Sequence, residues 1–117
     1  MSAANNFYVY TGETLTVVVP VTNSAGEALP LAGYEIVWHL ESPTPLVKTT
    51  AAGHITIVGD GASFTFTLSD TDTAALLAGS NAHIRSYGHE AKITSALGEV
   101  SVVVRGQCTV VRSLIET

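Results

Sequence analysis

Four histidines, His39, His54, His83 and His89, are the side chains of this sequence best suited to hold a metal ion or to serve as a general base, and Glu90 follows directly on the last. A zinc site takes imidazole or thiolate ligands at tight spacing, such as two histidines four apart on a helix or paired cysteine pairs. Neither spacing occurs, so the histidines read as surface or strand-edge residues and no metal is expected. Asp60, Asp70 and Asp72 lie near glycine and serine in the manner of a cation loop, but the EF-hand spacing is absent. Asp70 and Asp72 read instead as first-turn acids that complement a helix dipole. No Gly-x-Ser-x-Gly elbow occurs, Cys108 has no histidine beside it, and neither glycine-rich phosphate loop appears. The expectation is of no catalytic residue, no cofactor and no enzyme.

The elements that would carry these side chains alternate apolar and polar residues with a period of two. Thr14–Val17, Tyr34–Leu40, Ser63–Leu68 and Glu99–Val104 each place one set of side chains on one side of a pleated strand. Leu15, Val17, Val19 and Val21 form one core face, and Pro20, which cannot donate a ladder bond, puts that strand at a sheet edge or bulge. Tyr34, Ile36, Trp38 and Leu40 form another, with Trp38 as the anchor. Leu46–Thr50 is a short edge strand, and Gly59-Asp60-Gly61 a hairpin between His54–Val58 and Ala62–Leu68. The stretch 69–78 breaks the alternation: Ser69 is a good N-cap, acids follow, and Gly79 is a natural stop, which predicts one short helical crossover. In Ala82–Thr94, Ile84 is out of phase with Tyr87, Ala91 and Ile93, so a bulge is expected near Ser86-Tyr87-Gly88. The last strand, Glu99 to Arg112, puts Val100, Val102, Val104, Cys108 and Val110 on one face, with a bend at Gly106. Short strands between turns predict an all-β, Ig-like antiparallel β-sandwich of seven or eight strands, a single domain over 1–117 with short terminal arms. A jelly roll is the alternative, less favoured because the chain is short for eight full strands.

At 117 residues the chain can bury a self-sufficient core. Charged residues are 13% of it, apolar residues 46%, and the net charge is -5. Its five basic residues are scattered, so the footprint that nucleic acid requires is missing. A lone cysteine in an alternating strand suits a small core residue and a reducing compartment. The N-terminus has neither the charge nor the apolar run of a secretory signal, and no run reaches the ~20 apolar residues of a membrane span. Val18, Val37, Val103 and Val111 fall on positions that alternation assigns to solvent, and Phe7, Tyr8, Tyr10, Leu114 and Ile115 occupy the chain ends. Exposed apolar groups in such numbers mark contact with another molecule, although a register slip of one residue would turn those on the strands inward.

The run Thr11–Gly26 followed by Leu31–Leu40 resembles a family of tailed-bacteriophage virion domains, the N-terminal domain of baseplate upper proteins. Ile55-Thr56-Ile57, the crossover Leu68–Leu76, Gly98-Glu99-Val100 and Gly106–Val110 resemble it too, so the likeness covers most of the chain. It departs after Gly79, where Ser80–Lys92 is longer and richer in histidine. The resemblance implies a structural part that attaches to other virion proteins, made and folded in the host cytoplasm. The expected role is a capsid cement or head decoration protein, present in many copies or as a homo-oligomer, that binds the major capsid protein. A tail or baseplate adaptor is the alternative. A carbohydrate- or receptor-binding module is the third, and it needs Trp38, Tyr34, Tyr87 and the histidines to be exposed.

Overall fold

In Glu35–Leu40 every second side chain is apolar and large, and burial follows: Ile36, Trp38 and Leu40 are fully buried while Glu35, Val37 and His39 face solvent. The same rule shapes the rest of the molecule. The computed structural model describes residues 3–4, 6–23, 25–42, 45–58 and 61–114, and over these the chain is mostly β. Its strands are β1 (Ala3–Ala4), β2 (Phe7–Tyr10), β3 (Leu15–Pro20), β4 (Glu35–Leu40), β5 (Leu46–Thr49), β6 (Ile55–Val58), β7 (Ser63–Leu68), β8 (Ile84–Thr94) and β9 (Val100–Val111). Between β7 and β8 lies helix α1 (Asp70–Ala74), continued by a 3-10 turn at Ala75–Leu77.

Two sheets form. One has the order β1-β9-β8-β4-β5, with β2 also on β9; the other has the order β3-β7-β6. β1 and β2 run parallel to β9, and every other pair is antiparallel. The sheets meet through one core, in which Trp38 of β4 lies 4.4 Å, ring to ring, from Phe66 of β7. Fully burying an apolar side chain of this size contributes about 1.5–3 kcal/mol. β3 is an edge, as Pro20 predicts, and β5 and β6 are edges as well. Gly59 and Asp60, at the expected hairpin tip, lie outside the described residues, but β6 and β7 do pair antiparallel.

The crossover is built as the sequence predicts. Ser69 Oγ accepts from the Asp72 amide at 3.1 Å and Asp72 Oδ2 accepts from the Ser69 amide at 3.0 Å, a reciprocal capping box. Side-chain hydrogen bonds hold the segment and the loop after it to the rest of the fold. Thr73 Oγ1 donates to the Glu13 carbonyl at 2.7 Å, Tyr87 Oη to the Leu76 carbonyl at 2.9 Å, and Arg112 to the Ser80 carbonyl at 2.6 Å.

Two expectations are corrected. β8 is unbroken from Ile84 to Thr94, with no bulge at Ser86-Tyr87-Gly88: Tyr87, His89, Ala91 and Ile93 point inward in one phase, and Ile84 faces outward. The irregularity sits across from it on β9, where Ala91 pairs with Val104 but Lys92 with Val102, leaving Val103 as an extra residue. Val103 and Val104 are consequently both buried. Val103, expected in solvent, is only 5% exposed, while Val100, expected in the core, is exposed. One inserted residue reverses the faces of everything before it.

Candidate functional site

At one end of the outer face of the six-stranded sheet, apolar and aromatic side chains of three strands come together. Tyr8 and Tyr10 of β2 pair with Thr109 and Val111 of β9, and these in turn pair with Ser86 and Ile84 of β8. Opposite partners share a face, so these six side chains form one patch. Tyr8 is 65% exposed and Ile84 60%. The two tyrosine rings meet edge to face at 6.3 Å, and Ser86 and Thr109 share a hydrogen bond at 3.0 Å. A shallow groove of about 360 Å3 runs over Asn6, Phe7, Tyr8, Ile84, Thr109 and Val111. None of the patch residues carries a charge.

The edge beside this patch is capped at Tyr10. Thr11 donates to the Val111 carbonyl, so by alternation the backbone groups of Tyr10 point away from β9. Glu13 takes both: its carboxylate accepts from the Tyr10 amide at 3.1 Å and its amide donates to the Tyr10 carbonyl at 3.1 Å. What β2 offers a partner near Tyr10 is therefore side-chain surface rather than free backbone.

The residues predicted to form an interface fall into separate groups. Tyr8, Tyr10 and Val111 come together in the patch. Phe7 points the other way, its ring 5.0 Å from that of His89. Val37 lies on the same outer face but between Lys92 and Thr49, and Val18 is on the opposite sheet across from Thr65. Val103 is buried and leaves the set. Leu114 is almost fully exposed beyond the end of β9, and Ile115 lies outside the described residues. Ile84, whose phase the sequence reading explained by a bulge, belongs to the patch. Its partners in phase, Ser86, Gly88, Glu90 and Lys92, are all non-apolar, and reading β8 backward from Lys92 would have placed it there.

The histidines do not converge. His39, His54 and His83 are exposed, and His89 is 3% exposed, which corrects its reading as a surface or edge residue. Trp38 Nε1 donates to His89 Nδ1 at 3.1 Å. A polar groove of about 190 Å3 has His39, Glu41, His89, Glu90 and Arg105 in its lining. Among the described residues no group of three or more His, Cys, Asp or Glu side chains could hold a metal ion, and no helix is long and apolar enough to cross a membrane. Burial pushes the Cys108 thiol up to about 12, so it stays protonated at neutral pH. Of the three aromatic residues expected on a sugar-binding surface, Trp38 is fully buried and Tyr34 and Tyr87 are half-buried. No family model matches the chain, and no curated protein matches it in sequence.

Proposed function

We propose that the protein is an Ig-like module that serves as a bacteriophage capsid cement or head decoration protein, docking on the major capsid protein through the patch around Tyr8, Tyr10, Ile84 and Val111. Strand order supports the fold reading. β4, β8 and β9 stand where the C, F and G strands of an immunoglobulin sandwich stand, β5 is the added C′, and β3, β7 and β6 are B, E and D. Two further marks agree. Trp38 occupies the buried tryptophan position of strand C, and Tyr87 bonds back to the crossover as the corner tyrosine at the start of strand F does. Two residues on, where antibody domains have a cysteine of their inter-sheet disulfide, this chain has His89.

The observation that carries the functional reading is the uncharged, aromatic-rich outer patch on a face whose adjoining edge is capped by Glu13. Tyrosines supply large contact area at little entropic cost, and the resemblance of Thr11–Gly26 and Leu31–Leu40 to virion domains supports a virion protein as the neighbour. The test is addition of purified protein to expanded empty capsids. Symmetric decoration is expected, and Tyr8→Ser with Ile84→Ser removes it while leaving the denaturation midpoint within error. Association with tails alone would move the protein to the baseplate, and binding by the double variant equal to that of the parent would overturn the patch.

A further inference from the structure

We infer that the cavity between the β8–β9 turn and the β3–β4 connection is a second binding site, which takes an arginine side chain presented by a neighbouring protein. It lies at the other end of β8 and β9 from the Tyr8–Tyr10 patch and is independent of it. The bulge on β9 makes this site. Without the inserted residue, Ile93 would face Val102 and the next inward position would fall to Val100, so valines would line this end of the core. With it, Ile93 pairs with Ser101, while Lys92 and Thr94 pair with Val102 and Val100. Opposite partners share a face. Ser101 therefore turns inward beside the buried Ile93, Glu99 follows it by alternation, and Val100 is left 60% exposed. Bulges re-aim side chains, and this one exchanges two inward valines for a hydroxyl and a carboxylate.

The cavity measures about 260 Å3. Sites for whole small molecules run from about 300 to 1,000 Å3, so this one suits a single side chain. Leu29, Ile93 and Val103 supply an apolar floor for an aliphatic stem, with the Tyr34 ring beside it. The polar part of the lining includes one carboxylate, that of Glu99, and no lysine, arginine or histidine. Among the described residues, no side-chain hydrogen bond or ion pair engages Glu99, Ser101, Thr22 or the Tyr34 hydroxyl. The rim that carries them is fixed. Asn23 Oδ1 accepts from the Ala25 and Glu27 amides at 2.9 and 3.1 Å, and Ser95 Oγ from the Leu97 and Glu99 amides at 3.3 and 3.1 Å. Acceptors held in place before a ligand arrives lower the cost of binding it. A cation on a long apolar stem answers this lining. Arginine answers it better than lysine, because its planar fork offers two N–H groups to one carboxylate and others to the hydroxyl oxygens, and its face stacks on a tyrosine ring.

The experiment titrates the intact protein with N-acetyl-arginine amide and follows the backbone amide resonances. The citrulline counterpart, which keeps the shape but carries no charge, is titrated alongside. The expected result is saturable shifts centred on Tyr34, Ser95, Glu99 and Ser101, with Tyr8, Ile84 and Val111 unmoved and citrulline bound at least about tenfold more weakly. Glu99→Gln weakens arginine binding by at least about tenfold, whereas Glu27→Gln, at an exposed acid of the β3–β4 connection outside the cavity, leaves it unchanged. Citrulline bound as tightly as arginine, or a Glu99→Gln protein that binds like the parent, would overturn the proposal. So would shifts that never saturate or that spread over all the acidic residues, the mark of a non-specific cation effect. Tighter binding of free arginine than of the capped form would make this a site for the amino acid itself and remove the protein partner. The titration of the parent protein needs no variant to fold.

Discussion

Replacing Lys48 with methionine tests how the edge strand β5 is tied to the crossover. Lys48 pairs with Trp38 and so points to the inner side of the sheet, where its ammonium reaches Asp72 Oδ2 at 2.8 Å. The two side chains are 14% and 21% exposed. Burial draws the Asp72 carboxyl up, but the hydrogen bond from Lys48, the Ser69 amide and the Lys48 charge outweigh it and hold the group below its ordinary 3.8. An exposed ion pair contributes about 0–1 kcal/mol, and a hydrogen bond to a charged group about 1.5–3 kcal/mol. For a pair roughly four-fifths buried, with methionine retaining the stem, the loss is about 1.5 kcal/mol at pH 7, or a fall of roughly 5 °C in Tm. The pH dependence follows from the direction of the shift. A depressed folded value means that the contribution is whole above the unfolded pKa and is lost as the pH falls through the folded one. Urea denaturation followed by Trp38 emission should therefore show the full gap at pH 7 and pH 5, with the curves of parent and Lys48→Met closing together only as the pH falls below the ordinary carboxylate value of 3.8. A gap of equal size at pH 7 and at the acid end would refute the electrostatic account and leave only lost packing.

The reversed register on β9 predicts that Val103→Ala costs about 2 kcal/mol, while Val18→Ala on the open outer face stays within about 0.5 kcal/mol. Denaturant midpoints of the two variants check it, and equal losses would put the extra residue elsewhere. With its thiol pushed up to about 12 by burial, Cys108 should resist an aromatic disulfide reagent at pH 8 in the native protein and react at once in urea. Modification at the same rate in both states would place it at the surface.

Where alternation is strict, the chain could be read in advance. β4 and β7 keep one large apolar residue at every second position, and Ser69 with Asp72 supplies a cap whose chemistry is local. The run Val100–Val104 is different. A stretch of valines and serine fits either phase, so nothing local selects the residue that is inserted opposite Ala91. The partner of Trp38 is likewise distant, 51 residues away along the chain, and a histidine is apolar enough to be buried and polar enough to be left outside. The patch was only partly legible for the same reason. Tyr8 and Tyr10 are visible in sequence as exposed candidates, but their placement beside Ile84 depends on β2 running parallel to β9 from the far end of the chain.

Glu13 has a consequence for how the molecule can be crowded. A β-strand with unpaired amides invites another of its kind, and repeated addition of that sort grows fibres rather than finite particles. By occupying both main-chain groups of Tyr10, one carboxylate and one amide remove part of the template at the margin beside the patch. The protein can then accumulate at high local density, one copy next to another, and still choose its neighbours by the contour of its flank.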